Sequence, residues 1–297
     1  RGPRSAVGTG RCTGGSRPGT AGPGPRRPPA GAAIPAHNAA AARFVPITVE
    51  AARGERLDEA AGPQGNTASA PNTGWVPVEL PESWAPRWPD FDGVVWYRVR
   101  WTEPAPPLSP RGLFIDGFTM AAAIHLNGSL LATDRHLAEP LSRSWNQPHW
   151  WIVDAPQLRA GENELLVRVS GHAVYLGGLG LVRIGSPEQA RALYDASTFQ
   201  RRSLQWFGLG LTLVMGVLFG MLWLLRRSER VYGWFALHSL VWLAYAQNFI
   251  ATEAWPLPDT HTLQRFTLMA LILSMMCFVQ FARYFCGGTA RWLRHVA

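Results

Sequence analysis

The densest chemistry in the chain lies between Glu139 and Trp151. It reads Glu139-Pro140-Leu141-Ser142-Arg143-Ser144-Trp145-Asn146-Gln147-Pro148-His149-Trp150-Trp151. Trp145, Trp150 and Trp151 offer flat apolar faces on which a sugar ring or similar compact ligand can stack. Arg143, Asn146 and His149 offer directional hydrogen bonds. An aromatic platform with a few polar orienting groups is what a small-ligand pocket needs. A second reading stays open, in which the three tryptophans pack a core and Arg143 pairs with Glu139. Neither reading is catalytic. Asp90, Asp92 and Asp116 stand near turns, where caps and surface charges are expected, and no Ser-His-Asp order, nucleophile elbow or phosphate loop occurs. No catalytic residue is assigned. The three cysteines, Cys12, Cys277 and Cys286, have neither a disulfide framework nor metal-ligand spacing, so no metal and no cofactor is expected.

The elements around this segment read as short strands. Between Phe44 and Gly185, Trp96-Tyr97-Arg98-Val99-Arg100-Trp101 alternates apolar with arginine, as a half-buried strand does. Leu113-Phe114-Ile115 and Ala123-Ile124-His125-Leu126 follow, and Leu165-Leu166-Val167-Arg168-Val169 closes the series. Asn127-Gly128 is a strong hairpin signal, because a type I′ turn needs positive φ at both central residues. Regular short strands with Gly and Pro punctuation predict an all-β jelly-roll sandwich over 44–186.

Four segments carry a family resemblance. Trp75-Val76-Pro77-Val78-Glu79-Leu80-Pro81-Glu82-Ser83-Trp84 resembles the W-x-x-V-x-L-P-x-x-W opening of the sugar-binding domain of β-galactosidases and β-glucuronidases. Gly93-Val94-Val95-Trp96-Tyr97-Arg98 resembles its G-x-x-W-Y-R strand, and His125-Leu126-Asn127-Gly128 its V-N-G hairpin. Leu158 to Val169 resembles its L-x-x-G-x-N-x-L-x-V-R-V strand. The resemblance implies a galactose-binding-like jelly roll. It does not imply glycosidase activity, since the catalytic carboxylates of those enzymes sit in a separate barrel. The Glu139–Trp151 segment replaces their G-G-Y-x-P-F stretch.

Beyond Gln205 the composition changes. Trp206–Leu225, Val231–Ile250 and roughly Phe266–Phe285 are apolar runs, the first two without a charge and the third holding only Arg283. About 20 apolar residues cross the hydrocarbon core of a bilayer. An all-α bundle over 206–297, truncated after three spans, is therefore expected. Ser186-Pro187-Glu188-Gln189 predicts a capped helix start, and a linker helix over 187–205 leads into the first span without a proline or glycine before Gly208. With the domain outside, Arg226, Arg227, Arg230, Arg283, Arg291 and Arg294 fall inside, against Arg201, Arg202 and Arg265 outside, which satisfies the positive-inside rule. Gly216 and Gly220 form one GxxxG, read as packing within the bundle.

All 28 basic residues among the 297 are arginine, and the net charge is +8. Residues 1–43 hold seven arginines and no acid, so the remainder is close to neutral. No folded basic face is left for nucleic acid. The Gly-, Pro-, Ala- and Arg-rich stretch 1–43 is expected to be a disordered low-complexity extension.

A jelly roll leading into several spans is similar to bacterial receptors with the seven-transmembrane diverse intracellular signalling module, and Arg226–Ala236 resembles the same region in them. The resemblance implies the extracytoplasmic sensing and transmembrane portion of a receptor of the bacterial inner membrane, with residues 44–200 outside and homodimeric assembly. A sensor histidine kinase of a two-component system is the expected output, its kinase domain missing from the chain. Alternatives are a diguanylate cyclase receptor and a membrane-anchored carbohydrate-active enzyme or accessory module. The expected partners are the lipid bilayer and a carbohydrate or other small ligand.

Overall fold

Tyr97, Val99 and Trp101 project to one side of a long strand and are buried there, while Arg98 and Arg100 take the other side among Glu50, Glu162 and Glu164. This alternation sets the frame of the domain. In the computed structural model, which describes residues 44–57 and 70–287, the strands are β1 (Thr48–Arg56), β2 (Val76–Pro77), β3 (Glu82–Ser83), β4 (Gly93–Glu103), β5 (Arg111–Ile115), β6 (Phe118–Thr119), β7 (Ala121–Leu126), β8 (Ser129–Thr133), β9 (His149–Val153), β10 (Gly161–Gly171), β11 (Gly178–Leu179) and β12 (Val182–Gly185). The extension expected over 1–43 lies outside the described residues.

The strands form a six-stranded sheet, β2-β1-β4-β10-β7-β8, and two three-stranded sheets, β3-β11-β6 and β12-β5-β9. Their pairings are antiparallel. One core lies between the large sheet and the small ones: Val95, Tyr97, Val99, Leu165, Val167 and Val169 meet Leu113, Ile115, Leu179, Val182 and Ile184. Each such side chain contributes about 1.5–3 kcal/mol on burial, so the alternating pattern specifies both the register and the buried face. Asn127 (φ 50°) and Gly128 (φ 89°) turn β7 into β8. The Asn127 side chain donates to Asn163 Oδ1 and accepts from the Glu164 amide. The asparagines of two sequence motifs thus tie the β7–β8 hairpin to β10.

Ser186 caps the first long helix, accepting from the Gln189 amide in a capping box with proline in the first turn. Helix α1 (Pro187–Thr198) runs through a π-helical segment (Phe199–Ser203) into α2 (Leu204–Leu225). This 39-residue rod is about 58 Å long at 1.5 Å per residue. Helices α3 (Arg230–Ala246) and α4 (Thr260–Phe285) follow. Gly216 and Gly220 are where α2 meets α3: a Cβ on Gly216 would stand 2.9 Å from Ser239 Cβ, and one on Gly220 3.7 Å from Ala236 Cβ. His238 on α3 joins Ser274 on α4 at 3.0 Å.

Three spans are expected from the sequence, and among the described residues two helices are long and apolar enough to cross a membrane: the α1–α2 rod and α4. The Val231–Ile250 run yields only a 17-residue helix, about 26 Å: Gln247–Phe249 tightens into a 3-10 turn, and the Asn248 side chain and Phe249 carbonyl bond to Arg143 and Asn146 of the β domain. Only 6 % of the apolar window of the rod and 22 % of that of α4 is buried within the fold. Leu211, Val214, Met269 and Met276 are among the side chains left exposed, which water would penalise.

Candidate ligand site between the sheets and the helices

The segment expected to form one pocket loop is divided. His149, Trp150 and Trp151 belong to β9, and the residues before them form an irregular arm lying on the helices. His149 stacks between Phe118 (4.8 Å) and Trp151 (5.6 Å). Its Nε2 has no hydrogen-bond partner among the described residues, and burial lowers its pKa to about 4. Trp151 packs against the main core. Trp150 faces α1, with the Tyr194 ring at 6.2 Å and the Arg191 guanidinium over its face. Asn146 spends its amide on the carbonyls of Arg201 and Phe249, at 3.2 and 3.0 Å.

Arg143 and Trp145 are the two members that meet at a cavity. It measures about 270 Å³, and Thr119, Tyr175, Asn248 and Gln264 also line it. Its walls come from the β6–β7 region, the arm, the turn after β10, the turn after α3 and the first turns of α4. Arg143 is 4 % exposed. Its Nη2 donates to Asn248 Oδ1, and burial lowers its pKa. The pairing of Arg143 with Glu139 does not form; Glu139 turns away to His172. Trp145 packs on Phe249 at 6.2 Å and also lines a second cleft, which contains the Asp116–Arg201 ion pair.

Beside the cavity the arm is clasped to α4. Glu139 Oε1 lies 2.6 Å from His172 Nε2, and Glu139 Oε2 accepts from the Thr260 amide at 3.2 Å. Asp92 Oδ2 sits 3.4 Å from His172 Nδ1, within ion-pair reach but without hydrogen-bond geometry. The His261 ring lies 4.5 Å from that of His172 with the planes tilted by 58°, and it meets the Tyr175 hydroxyl at 3.2 Å. Burial disfavours charge on His172, but Glu139 and Asp92 outweigh it and raise its pKa. Burial likewise works to raise the Glu139 pKa, while hydrogen bonds from His172 and Thr260 leave it lowered. Further bonds run from the Arg143 amide to Thr252 O (2.8 Å), from the Leu141 amide to Thr260 Oγ1 (3.3 Å) and from Arg202 to Ile250 O (3.3 Å).

Tyr175, His172 and Gln264 carried no local sequence signal. Asn248 carried a faint one, as a polar residue ending an apolar run. Carboxylates of the β domain are engaged structurally: Glu103 with Arg111, Asp134 with Ser144 and the Ala122 amide, Asp92 with the Ala173 amide, and Asp116 with Ser197 and Arg201.

No family model matches the chain, and no curated protein matches it. Among solved structures, it is similar to a β-glucuronidase of Faecalibacterium prausnitzii at 26 % identity over 42 % of this chain, with TM-score 0.31. A β-glucuronidase of Bifidobacterium dentium, in complex with coumarin-3-O-glucuronide, matches at 24 % identity over 43 % of the chain, with TM-score 0.30. A β-glycosidase of Bacteroides vulgatus matches at 18 % identity over 46 %, with TM-score 0.33. The chain spans about one-fifth of the length of these structures, covering 20, 20 and 19 % of them.

Proposed function

We propose that this chain is the sensing and transmitting part of a bacterial membrane receptor. In this reading a galactose-binding-like jelly roll lies outside the cytoplasmic membrane, docked on helices that cross it. The observation that carries it is the arm from Glu139 to Gln147. Its side chains and backbone bond to the π-helical segment of the rod at Arg201, to the turn after α3 at Asn248, Phe249 and Thr252, and to the first residue of α4 at Thr260. A shift of the arm therefore pulls on all three helices together. Asp92, Glu103, Asp116 and Asp134 are engaged structurally, which supports binding over glycoside hydrolysis by a carboxylate pair drawn from them. The four sequence segments support the jelly-roll assignment, and the exposed apolar faces of α2 and α4 support a lipid environment.

By resemblance, the output is a sensor histidine kinase, with a diguanylate cyclase as the variant. The gene sequence following Ala297 tests this directly. A phosphoacceptor-histidine helix with an ATP-binding domain, or a cyclase domain, is expected there. A glycosidase barrel or a transporter domain in that place would refute the receptor reading.

A further inference from the structure

Burying a guanidinium without a counter-charge is costly, and proteins normally answer it with a carboxylate. Among the described residues, the carboxylates on the segments that surround Arg143 are committed to other partners. Glu139, on the same arm, is committed to His172 and Thr260. Asp134 serves Ser144 and the Ala122 amide. Glu253 faces Arg135, and Asp259 caps α4 at Thr262. Among the described residues, what Arg143 receives is one neutral amide oxygen, from Asn248, while its buried Nε has no hydrogen-bond partner there. The same residue lines an open cavity with two aromatic walls, Trp145 and Tyr175, and the amide of Gln264. A buried cation without a counter-charge, lining a partly aromatic cavity, is the complement of an anion with a flat or apolar body.

We infer that this cavity binds a compact organic anion, its carboxylate or phosphate paired with Arg143 and its body held between Trp145 and Tyr175. At about 270 Å³ the space falls just below the roughly 300–1,000 Å³ of pockets for drug-sized ligands, so the occupant is of metabolite size. Such a ligand touches the β domain through Arg143, Trp145 and Tyr175, and the helices through Asn248 and Gln264. It thereby bridges the two parts whose coupling is proposed above, and the inference rests on that reading for its consequence, though not for the binding itself.

The test uses the full chain in zwitterionic lipid nanodiscs. Thermal unfolding and tryptophan fluorescence are followed while D-glucuronate, benzoate or glycerol phosphate is titrated, with D-glucose as the neutral control. At least one anion should raise the melting temperature saturably, and glucose should not. Arg143→Gln should weaken that affinity about tenfold or more, the worth of a charged hydrogen bond. Asn248→Asp supplies a carboxylate from within the chain. It should melt at or above wild type yet lose the anion response, so that loss of binding is separated from loss of fold. Nanodiscs of phosphatidylglycerol distinguish the source: if that lipid alone reproduces the stabilisation and Arg143→Gln removes it, the anion is a headgroup. No stabilisation by any of these anions, an equal response to glucose, or an undiminished response in both variants would overturn the inference. Those outcomes leave the domain downstream of Ala297 to decide the receptor reading separately.

Discussion

The Glu139–His172 clasp makes a prediction whose size and sign both follow from its geometry. Glu139→Gln keeps the shape and retains neutral hydrogen bonds to His172 and Thr260, so only the charge is lost. A hydrogen bond to a charged group contributes about 1.5–3 kcal/mol and a neutral one about 1 kcal/mol. The Glu139 side chain is 31 % exposed, so solvent screens part of the difference. A loss of about 1 kcal/mol is left, or about 2–4 °C in melting temperature for a chain of this size. Glu139→Ala strands both partners and should cost about 2–3 kcal/mol. The pH dependence is more discriminating. His172 has a raised pKa, so its contribution is complete below its unfolded value and is lost as pH rises through the raised one. Glu139 has a lowered pKa, so its contribution is present above its unfolded value and is lost only as pH falls through the lowered one. The clasp is therefore complete in mildly acidic to neutral buffer and loosens on the alkaline side. Asp92, Tyr175 and His261 also face His172, and of these Asp92 still favours its charged form after the substitution. Near-UV circular dichroism melts of the full chain in nanodiscs, across a pH series, should show a shallower alkaline decline for Glu139→Gln than for wild type. Parallel curves, displaced by a constant or not at all, would refute the ion pair.

The acid side belongs to His149, whose folded pKa of about 4 means the unfolded chain binds the extra proton. Stability should fall as pH drops from about 6.5 to about 4, by up to about 2–3 kcal/mol, and His149→Phe should abolish that decline in the same melts. Gly216→Ala places a Cβ 2.9 Å from Ser239 Cβ and should cost about 1–3 kcal/mol of helix packing. Gly220→Ala, at 3.7 Å from Ala236 Cβ, should be close to neutral, and equal melting temperatures for the two variants would contradict the α2–α3 contact. A reporter enzyme active only in the periplasm should be active when fused after Asn163 and silent when fused after Arg230; the reverse pattern would overturn the proposed orientation.

The strand alternation and the Asn127-Gly128 turn were legible because both are local consequences of backbone geometry. So was the Ser186 cap, whose partner Gln189 lies three residues away. The cavity was legible only in part. Arg143 and Trp145 stood out by composition, but Tyr175, Asn248 and Gln264 reach it from three distant segments, and no local spacing links them. The Arg143–Glu139 pair, one of the two readings left open by the sequence, does not form. Here the arm is irregular, and its two side chains diverge to Asn248 and His172. Counting apolar residues overextended the second span for a related reason. Gln247, Asn248 and Phe249 read as the end of a hydrophobic run, whereas the Asn248 side chain and the Phe249 carbonyl are partners of the arm.

Asn146 shows how a small movement of the β domain can reach the helices. Its single amide donates to Arg201 O in the π-helical segment of the rod and to Phe249 O in the turn after α3, so it ties together two helices that also meet at Gly216 and Ser239. A rod of continuous helix is stiff along its length, and the π-helical segment at Phe199–Ser203 is its one irregularity; such segments are frequent at functional sites. The restraints cluster there. Asp116 holds Arg201, Asn146 holds the Arg201 carbonyl, and Arg202 holds Ile250 O. Each neutral bond contributes about 0.5–1.5 kcal/mol, small enough that a ligand at Arg143 or a proton at His172 can outweigh one of them. In the proposed receptor, the irregular turn of the rod, and not its regular length, is therefore where a change at the arm would become a change in how α2 leaves the domain.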